Sequence, residues 1–255
     1  MKKLKIALVQ PDTVWENIEG NLSQLDDMLW DSDADVIVLP EMFTTGFSQR
    51  ARQMAVSMNS LPVEWMHDLA CRLGSLLMGS MIIEEKGKYF NRLLVAFPDG
   101  EMKFYDKKHL FSLSDENKIY TAGKERLVFD FEGWKIAGYI CYDLRFPAWT
   151  RNVEQADLMV FSANWPQKRM SHWEALLKAR AIENQCYVAG VNRVGQSPDG
   201  VEYNGMSKVY NYWGDELVNA QRNKGVIQVE LSKELLTENR EHYGFWKDMD
   251  KFDLR

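Results

Sequence analysis

Hydrophobic positions along this chain fall into short runs whose period switches repeatedly between two and about 3.6 residues. Runs with strand character occupy residues 5–9, 36–39, 76–84, 91–97, 101–105, 127–131, 135–141, 158–162, 187–191, 207–212 and 226–230. Between them, residues 17–30 carry Ile18, Leu22, Leu25 and Leu29 at helical spacing, and residues 170–183 place Trp173, Leu176, Leu177 and Ala181 on one stripe. Turn signals at Glu85-Lys86-Gly87-Lys88, Pro98-Asp99-Gly100 and Asn204-Gly205, each between extended patterns, predict hairpins. Strands joined both by hairpins and by helices give a sheet of mixed direction. Eleven strands with few long helices exceed what one doubly wound sheet uses, so the pattern predicts an α/β protein with sheets face to face and helices outside. No Pro/Ser/Gly-rich linker interrupts residues 1–255, which are expected to form one domain.

Composition narrows the class without changing this picture. The 255 residues are 45% hydrophobic, and the formal charge of −6 has its basic residues scattered along the whole length. A nucleic-acid partner would require a basic stripe, so none is expected. The apolar run directly before Gln10-Pro11 is only four residues long, too short for a signal-peptide core or a membrane span, and a cytoplasmic location is expected. Cys71, Cys141 and Cys186 are odd in number and far apart, which fits a reducing compartment rather than a disulfide framework. His67, His109, His172 and His242 lack zinc spacing, and both glycine-rich phosphate motifs are absent. Neither metal nor cofactor is expected. The sequon at Asn21-Leu22-Ser23 reads as chance.

Three strand ends carry the candidate chemistry. The run 36–39 delivers Glu41, the run 101–105 delivers Lys107, and the run 135–141 ends on Cys141 at a switch from strand to helix pattern. Ligand sites in α/β sheets lie beyond the carboxyl ends of strands, where these side chains can meet. A cysteine on the first turn of a helix is expected to ionise more easily than a free thiol. Each residue also has an ordinary reading: Cys141 as a small buried hydrophobe, Glu41 as a solvated carboxylate or cap, Lys107 as a surface ammonium beside Lys108. The histidines are poor candidates for the base of Cys141, and a carboxylate in a low-dielectric pocket can replace imidazole, with a lysine balancing the anions. That ammonium and a backbone N–H beside the cysteine can then hold a tetrahedral oxyanion.

The segments Leu39-Pro40-Glu41-Met42-Phe43, Lys107-Lys108-His109-Leu110-Phe111 and Gly138-Tyr139-Ile140-Cys141-Tyr142-Asp143-Leu144-Arg145-Phe146-Pro147 resemble the three signature segments of the nitrilase superfamily of carbon–nitrogen hydrolases. The resemblance runs on through Asn164-Trp165-Pro166 and residues 179–184 to the turn near Asn204. With the His172-Trp173 pair and the compact length, it is nearest to the bacterial ω-amidases, which act on terminal amides of dicarboxylic keto acids such as 2-oxoglutaramate. It implies a four-layer α-β-β-α sandwich and a homodimer extended through helices. It also implies Glu41 as general base and acid, Lys107 and the Tyr142 backbone N–H as oxyanion donors, and Cys141 as nucleophile. Glu116, or its neighbour Asp115, matches the further carboxylate that orders the lysine. Ser112 stands where many members carry Asp or Asn.

Substrate recognition is assigned to Arg145, Trp165 and Phe43. Arg145 can reach a substrate carboxylate at the pocket mouth, or pair with Asp143 or Glu154 instead. Trp165 and Phe43 are placed as pocket walls, with core packing as the alternative, while Arg180 and Glu183 read as a scaffold ion pair. The expected partner is a small amide bearing a carboxylate. Hydrolysis of carbamoyl-amino acids, aliphatic amides or nitriles by the same triad, a silent binding protein, and a redox-sensing cysteine protein are the alternatives.

Overall fold

The computed structural model describes residues 3–250. Its strands are β1 Lys3–Gln10, β2 Val36–Val38, β3 Leu76–Glu85, β4 Lys88–Ala96, β5 Met102–Asp106, β6 Leu127–Phe131, β7 Trp134–Ile140, β8 Leu158–Ser162, β9 Tyr187–Val191, β10 Val194–Gln196, β11 Glu202–Asn204, β12 Lys208–Tyr210, β13 Glu216–Asn219 and β14 Gly225–Ser232. The helices are α1 Ile18–Leu29, α2 Ala51–Met54, α3 Leu61–Leu73, α4 Glu116–Ile119, α5 Met170–Asn184 and α6 Lys233–Tyr243. All eleven strand runs of the sequence are present, β6, β8 and β9 with the expected ends and the others with shifted ends. Two six-stranded sheets form, in the orders β14-β1-β2-β3-β4-β5 and β13-β12-β9-β8-β7-β6. Within each, the three central strands are parallel and the flanking ones antiparallel.

The pleat explains how these strands serve two layers at once. Along β1, Leu4, Ile6 and Leu8 enter the core shared by the two sheets, while Ala7 and Val9 join Leu25 and Leu29 of α1 and Val63 and Met66 of α3 in an outer core. Each such buried Leu, Ile, Val or Met side chain stabilises the fold by about 1.5–3 kcal/mol. The sheets touch closely where Gly138 of β7 faces Leu93 and Met78 of the first sheet. On the far side of the second sheet, Leu177 and Trp173 of α5 lie against Gly190. The result is a mixed α/β fold with two multi-strand sheets and helices outside them.

Two hairpins occur where expected. Glu85 pairs with Lys88 across Lys86 and Gly87, both at positive φ, and β4 pairs with β5 beyond Gly100. Asn204-Gly205 differs: β11 pairs with β10 in a separate ribbon and β12 joins the second sheet, so no hairpin forms there. The glycine serves a close approach instead. A Cβ on Gly205 would stand 2.2 Å from the Gln10 amide, which donates to Gln221 O and Asn223 O and accepts from Ser207 N–H.

Candidate active site

The segments that follow β2, β5, β7 and β8 meet on one side of the sandwich and build the site. After β2, Ser162 Oγ holds Leu39 O at 2.9 Å, and Met42 turns into the left-handed region at φ 44°. This bend is pinned by Ser80 Oγ, which accepts from Met42 N–H at 2.8 Å. It leaves Glu41 only 1% exposed. Three donors satisfy the Glu41 carboxylate: Lys107 Nζ at 2.7 Å and Asn91 Nδ2 at 2.8 Å reach Oε1, and Asn164 N–H reaches Oε2 at 2.9 Å. Asn164 Nδ2 also donates to Glu41 O at 2.7 Å.

Lys107 follows β5 and is buried between Glu41 and Glu116, donating to both oxygens of Glu116 at 3.0 Å. It is not the surface ammonium that its neighbour Lys108 suggested. Burial works against its charge, but the carboxylates of Glu116 and Glu41 outweigh burial and hold Lys107 firmly protonated, above the ordinary lysine value. Glu116, entirely buried, also accepts from Phe111 N–H at 2.6 Å. Burial, and after it the Glu41 charge, pushes its carboxyl above the ordinary range, against the pull of Lys107. Asp115 is exposed and pairs with Lys118, so Glu116 is the second carboxylate that meets the lysine.

Cys141 opens a five-residue 3-10 turn, Cys141–Arg145, with its own φ at +40°. This is a strained single turn rather than the first turn of an α-helix, and the field expected to ionise the thiol is correspondingly short. Burial first, then the neighbouring Glu41 charge, pushes the thiol well above its ordinary value, against Lys107. The cysteine therefore holds its proton, and the S–H points to Asn164 O at 3.9 Å. Asp143 fixes the turn. Its buried carboxylate accepts from Ile140 N–H at 3.1 Å, Tyr105 OH at 2.7 Å and His109 N–H at 3.0 Å, which ties the Cys141 turn to the segment carrying Lys107. His109 Nδ1 lies 2.8 Å from Asp143 and its ring stacks on Phe146, so this histidine braces the turn. Arg180 of α5 donates to Leu144 O at 2.7 Å and pairs with Glu183, the scaffold role assigned to it.

Glu41, Lys107 and Cys141 line a cavity of about 900 Å³, together with Tyr142, Arg145 and Trp165. Arg145 stacks over Trp165 at 4.8 Å, with Nη2 3.1 Å from His172 Nδ1. It does not pair with Asp143, or with Glu154, which binds Arg126 at 3.2 Å. Burial and the charge of Arg169 lower its guanidinium below the usual value. Phe43 is not brought to the cavity: its ring lies in the outer core, 6.0 Å from Trp65, because the bend at Met42 turns it away. Phe47 takes the wall position, 5.3 Å from Lys107 Nζ. All three cysteines are free, with Cys71 exposed and Cys186 buried, its thiol pushed up to about 12 by burial. Among the described residues no His/Cys/Asp/Glu cluster suits a metal ion, and no helix is long and apolar enough to cross a membrane.

A family model described as carbon-nitrogen hydrolase matches residues 5–241. The chain belongs to the carbon-nitrogen hydrolase family. It is 43% identical to the omega-amidase YafV of Escherichia coli K12 over the full length of both chains. It is 37% identical to the 2-oxoglutaramate amidase of Bacillus subtilis, over 86% of each. A solved CN-hydrolase superfamily structure from Xanthomonas campestris, with an arsenic adduct in its active site, superposes with a TM-score of 0.98 over all of both chains at 40% identity. As a carbon-nitrogen hydrolase the protein is a hydrolase of non-peptide C–N bonds, a member of the nitrilase superfamily with ω-amidases among its relatives.

Several residues that shape this carbon-nitrogen hydrolase site escape sequence reading. Asn91 sits inside β4, where its only signal is an amide within an apolar run. Asn192, just beyond β9, accepts from Trp165 N–H at 2.8 Å and donates to Trp165 O at 3.0 Å, holding the cavity wall.

Proposed function

We propose that this carbon-nitrogen hydrolase cleaves the terminal amide of a small dicarboxylic acid monoamide, of the 2-oxoglutaramate or 2-oxosuccinamate type, through a thioester on Cys141. The observation that carries the reading is the buried Glu41 carboxylate, held by Lys107, Asn91 and Asn164 N–H at the cavity where Cys141 keeps its proton. A protonated thiol beside an ionised, fully hydrogen-bonded carboxylate is a nucleophile paired with its base. The substrate class rests on the relatives named omega-amidase and 2-oxoglutaramate amidase, and on Arg145, whose guanidinium faces the cavity without a carboxylate partner among the described residues.

Glu41 takes the thiol proton as sulfur bonds to the amide carbon, and the carbonyl electron pair moves to oxygen. Lys107 Nζ and the Tyr142 N–H receive that oxyanion, each such donor contributing about 3 kcal/mol in the transition state. As the intermediate collapses, the C–N bond breaks and Glu41 returns the proton to nitrogen, so ammonia leaves and the acyl group stays on sulfur. Water then gives a proton to Glu41 while its oxygen bonds to the carbonyl carbon. The C–S bond breaks, and Glu41 reprotonates the thiolate. Glu116 keeps Lys107 charged and aimed throughout.

Ammonia release across a panel tests the reading. Comparing 2-oxoglutaramate and 2-oxosuccinamate with a carbamoyl-amino acid, an aliphatic amide and a nitrile should give the highest kcat/KM for the ω-amides. Cys141→Ala should lower it by at least about 10³-fold. A preference for the carbamoyl compound or the nitrile would overturn the substrate assignment, and full activity in Cys141→Ala would overturn the mechanism.

A further inference from the structure

Three arginines line the cavity, and Arg50 is paired with Glu16 at 2.7 Å, which leaves Arg145 and Arg169. Arg169 lies in the turn before α5, half-buried, with its side chain on the cavity wall and its Cζ 5.2 Å from the Phe111 ring. Phe111 in turn packs edge-on against Tyr142 at 5.0 Å, next to the nucleophile. Arg145 approaches from the Trp165 side. The two are tied through the wall itself, because the Trp165 indole N–H donates to Arg169 O at 2.8 Å. Neither guanidinium has a carboxylate partner among the described residues, and the Arg169 guanidinium has no hydrogen-bond acceptor there. The neighbouring cation also contributes to lowering Arg145 from its usual value, second to burial.

Two partly desolvated cations on aromatic faces form a site open to an anion, since Glu16, Asp199 and Glu202 line the same cavity but pair with neither of them. A single carboxylate would satisfy Arg145. A second donor-only group asks for a second acceptor next to that carboxylate, and a cation there is disfavoured by both charges. A 2-oxo acid offers a carboxylate beside a carbonyl oxygen, all acceptors. The corresponding 2-amino acid offers an ammonium, all donors and positive.

We propose that Arg169 is a specificity-determining residue that selects 2-oxo ω-amides over their 2-amino counterparts, receiving the 2-oxo oxygen while Arg145 receives the carboxylate. The inference deepens the ω-amidase reading and rests on it. The backbone carbonyl of Arg169, which holds Trp165, survives any side-chain change, so recognition and folding are separable here.

The test compares kcat/KM for 2-oxoglutaramate and glutamine in wild type, Arg169→Gln, Arg169→Lys and Arg145→Gln, with unfolding midpoints recorded for each. Glutamine is followed both as substrate and as competitive inhibitor, so a ratio is obtained even where its turnover is slow. In Arg169→Gln the 2-oxo over 2-amino preference should fall by about 10- to 100-fold. Arg169→Lys, which keeps the charge and loses the planar fork, should lose efficiency on 2-oxoglutaramate yet still reject glutamine. Arg145→Gln should weaken both compounds alike. A preference unchanged in a folded Arg169→Gln protein, with 2-oxoglutaramate still hydrolysed, would overturn the assignment of Arg169 alone. Failure of the wild type to release ammonia from 2-oxoglutaramate would overturn the ω-amidase reading and this inference with it.

Discussion

Glu41 faces two opposed demands, since a base for Cys141 must be charged and a buried carboxylate resists charge. Lys107, Asn91 and the Asn164 N–H meet the second demand without removing the first. The same negative charge keeps the thiol protonated, after burial, while Lys107 acts in the opposite sense. A raised thiol pKa means that thiolate appears only above the ordinary thiol range, so the resting enzyme is neutral at sulfur near pH 7. Glu41→Gln removes the charge that raises the thiol and leaves Lys107 pulling it down, so its thiolate should form at lower pH than in wild type. Ultraviolet thiolate absorbance, taken as the difference from Cys141→Ala over a pH series, checks the direction. A wild-type thiolate already present at neutral pH, or an upward shift in Glu41→Gln, would contradict this electrostatic account. At this scale the three strand-end residues were legible because each follows a run with strand character and answers one chemical need. Phe43 was misplaced because sequence spacing does not reveal the left-handed bend at Met42, and Asn91 was missed because one amide in a buried strand resembles any other.

Elements were readable where a face is apolar along its whole length. Residues 5–9 and 135–141 show this, as do α1 and α5, whose stripes pack as their spacing suggested. The three strands not foreseen, β10, β11 and β13, are short and largely polar and carry no alternation to detect. Helix α6 buries only Leu236 and Asn239, too thin a stripe to stand out. Asn204-Gly205 shows a different limit. The dipeptide signals positive φ, and Gly205 does adopt +70°, but the signal is silent on whether the flanking strands pair. Here the glycine lets the segment leading into β12 pass close to the Gln10 amide, so Gly205→Ala combines left-handed strain with a collision against a hydrogen-bonded amide. The expected loss is about 1–3 kcal/mol, read as a lower urea midpoint at unchanged slope. A neutral effect would mean that the Gln10 network yields freely.

At the scale of the molecule, two sheets packed face to face bring the ends of β2, β5 and β7 to one cavity, which no single sheet segment could do. The outer surface has its own asymmetry. Trp213, Tyr243, Phe245 and Ile182, each about half exposed, gather beside α5 and α6, with Trp213 and Tyr243 ring centroids 4.7 Å apart. Such a patch fits the homodimer through helices that the family resemblance implies, and we propose that pairing. Sedimentation equilibrium should give twice the chain mass, falling toward one chain in Trp213→Asp; a wild-type monomer at micromolar concentration would exclude it. The chemistry of the fold comes down to one covalent bond. Acid-quenching the enzyme with 2-oxoglutaramate within a single turnover and mapping its peptides by mass spectrometry tests for that bond directly. The peptide holding Cys141 should gain the substrate's mass less ammonia, and Cys141→Ala should show no gain. Ammonia release at full rate with the acyl group on another residue, or on none, would contradict the account.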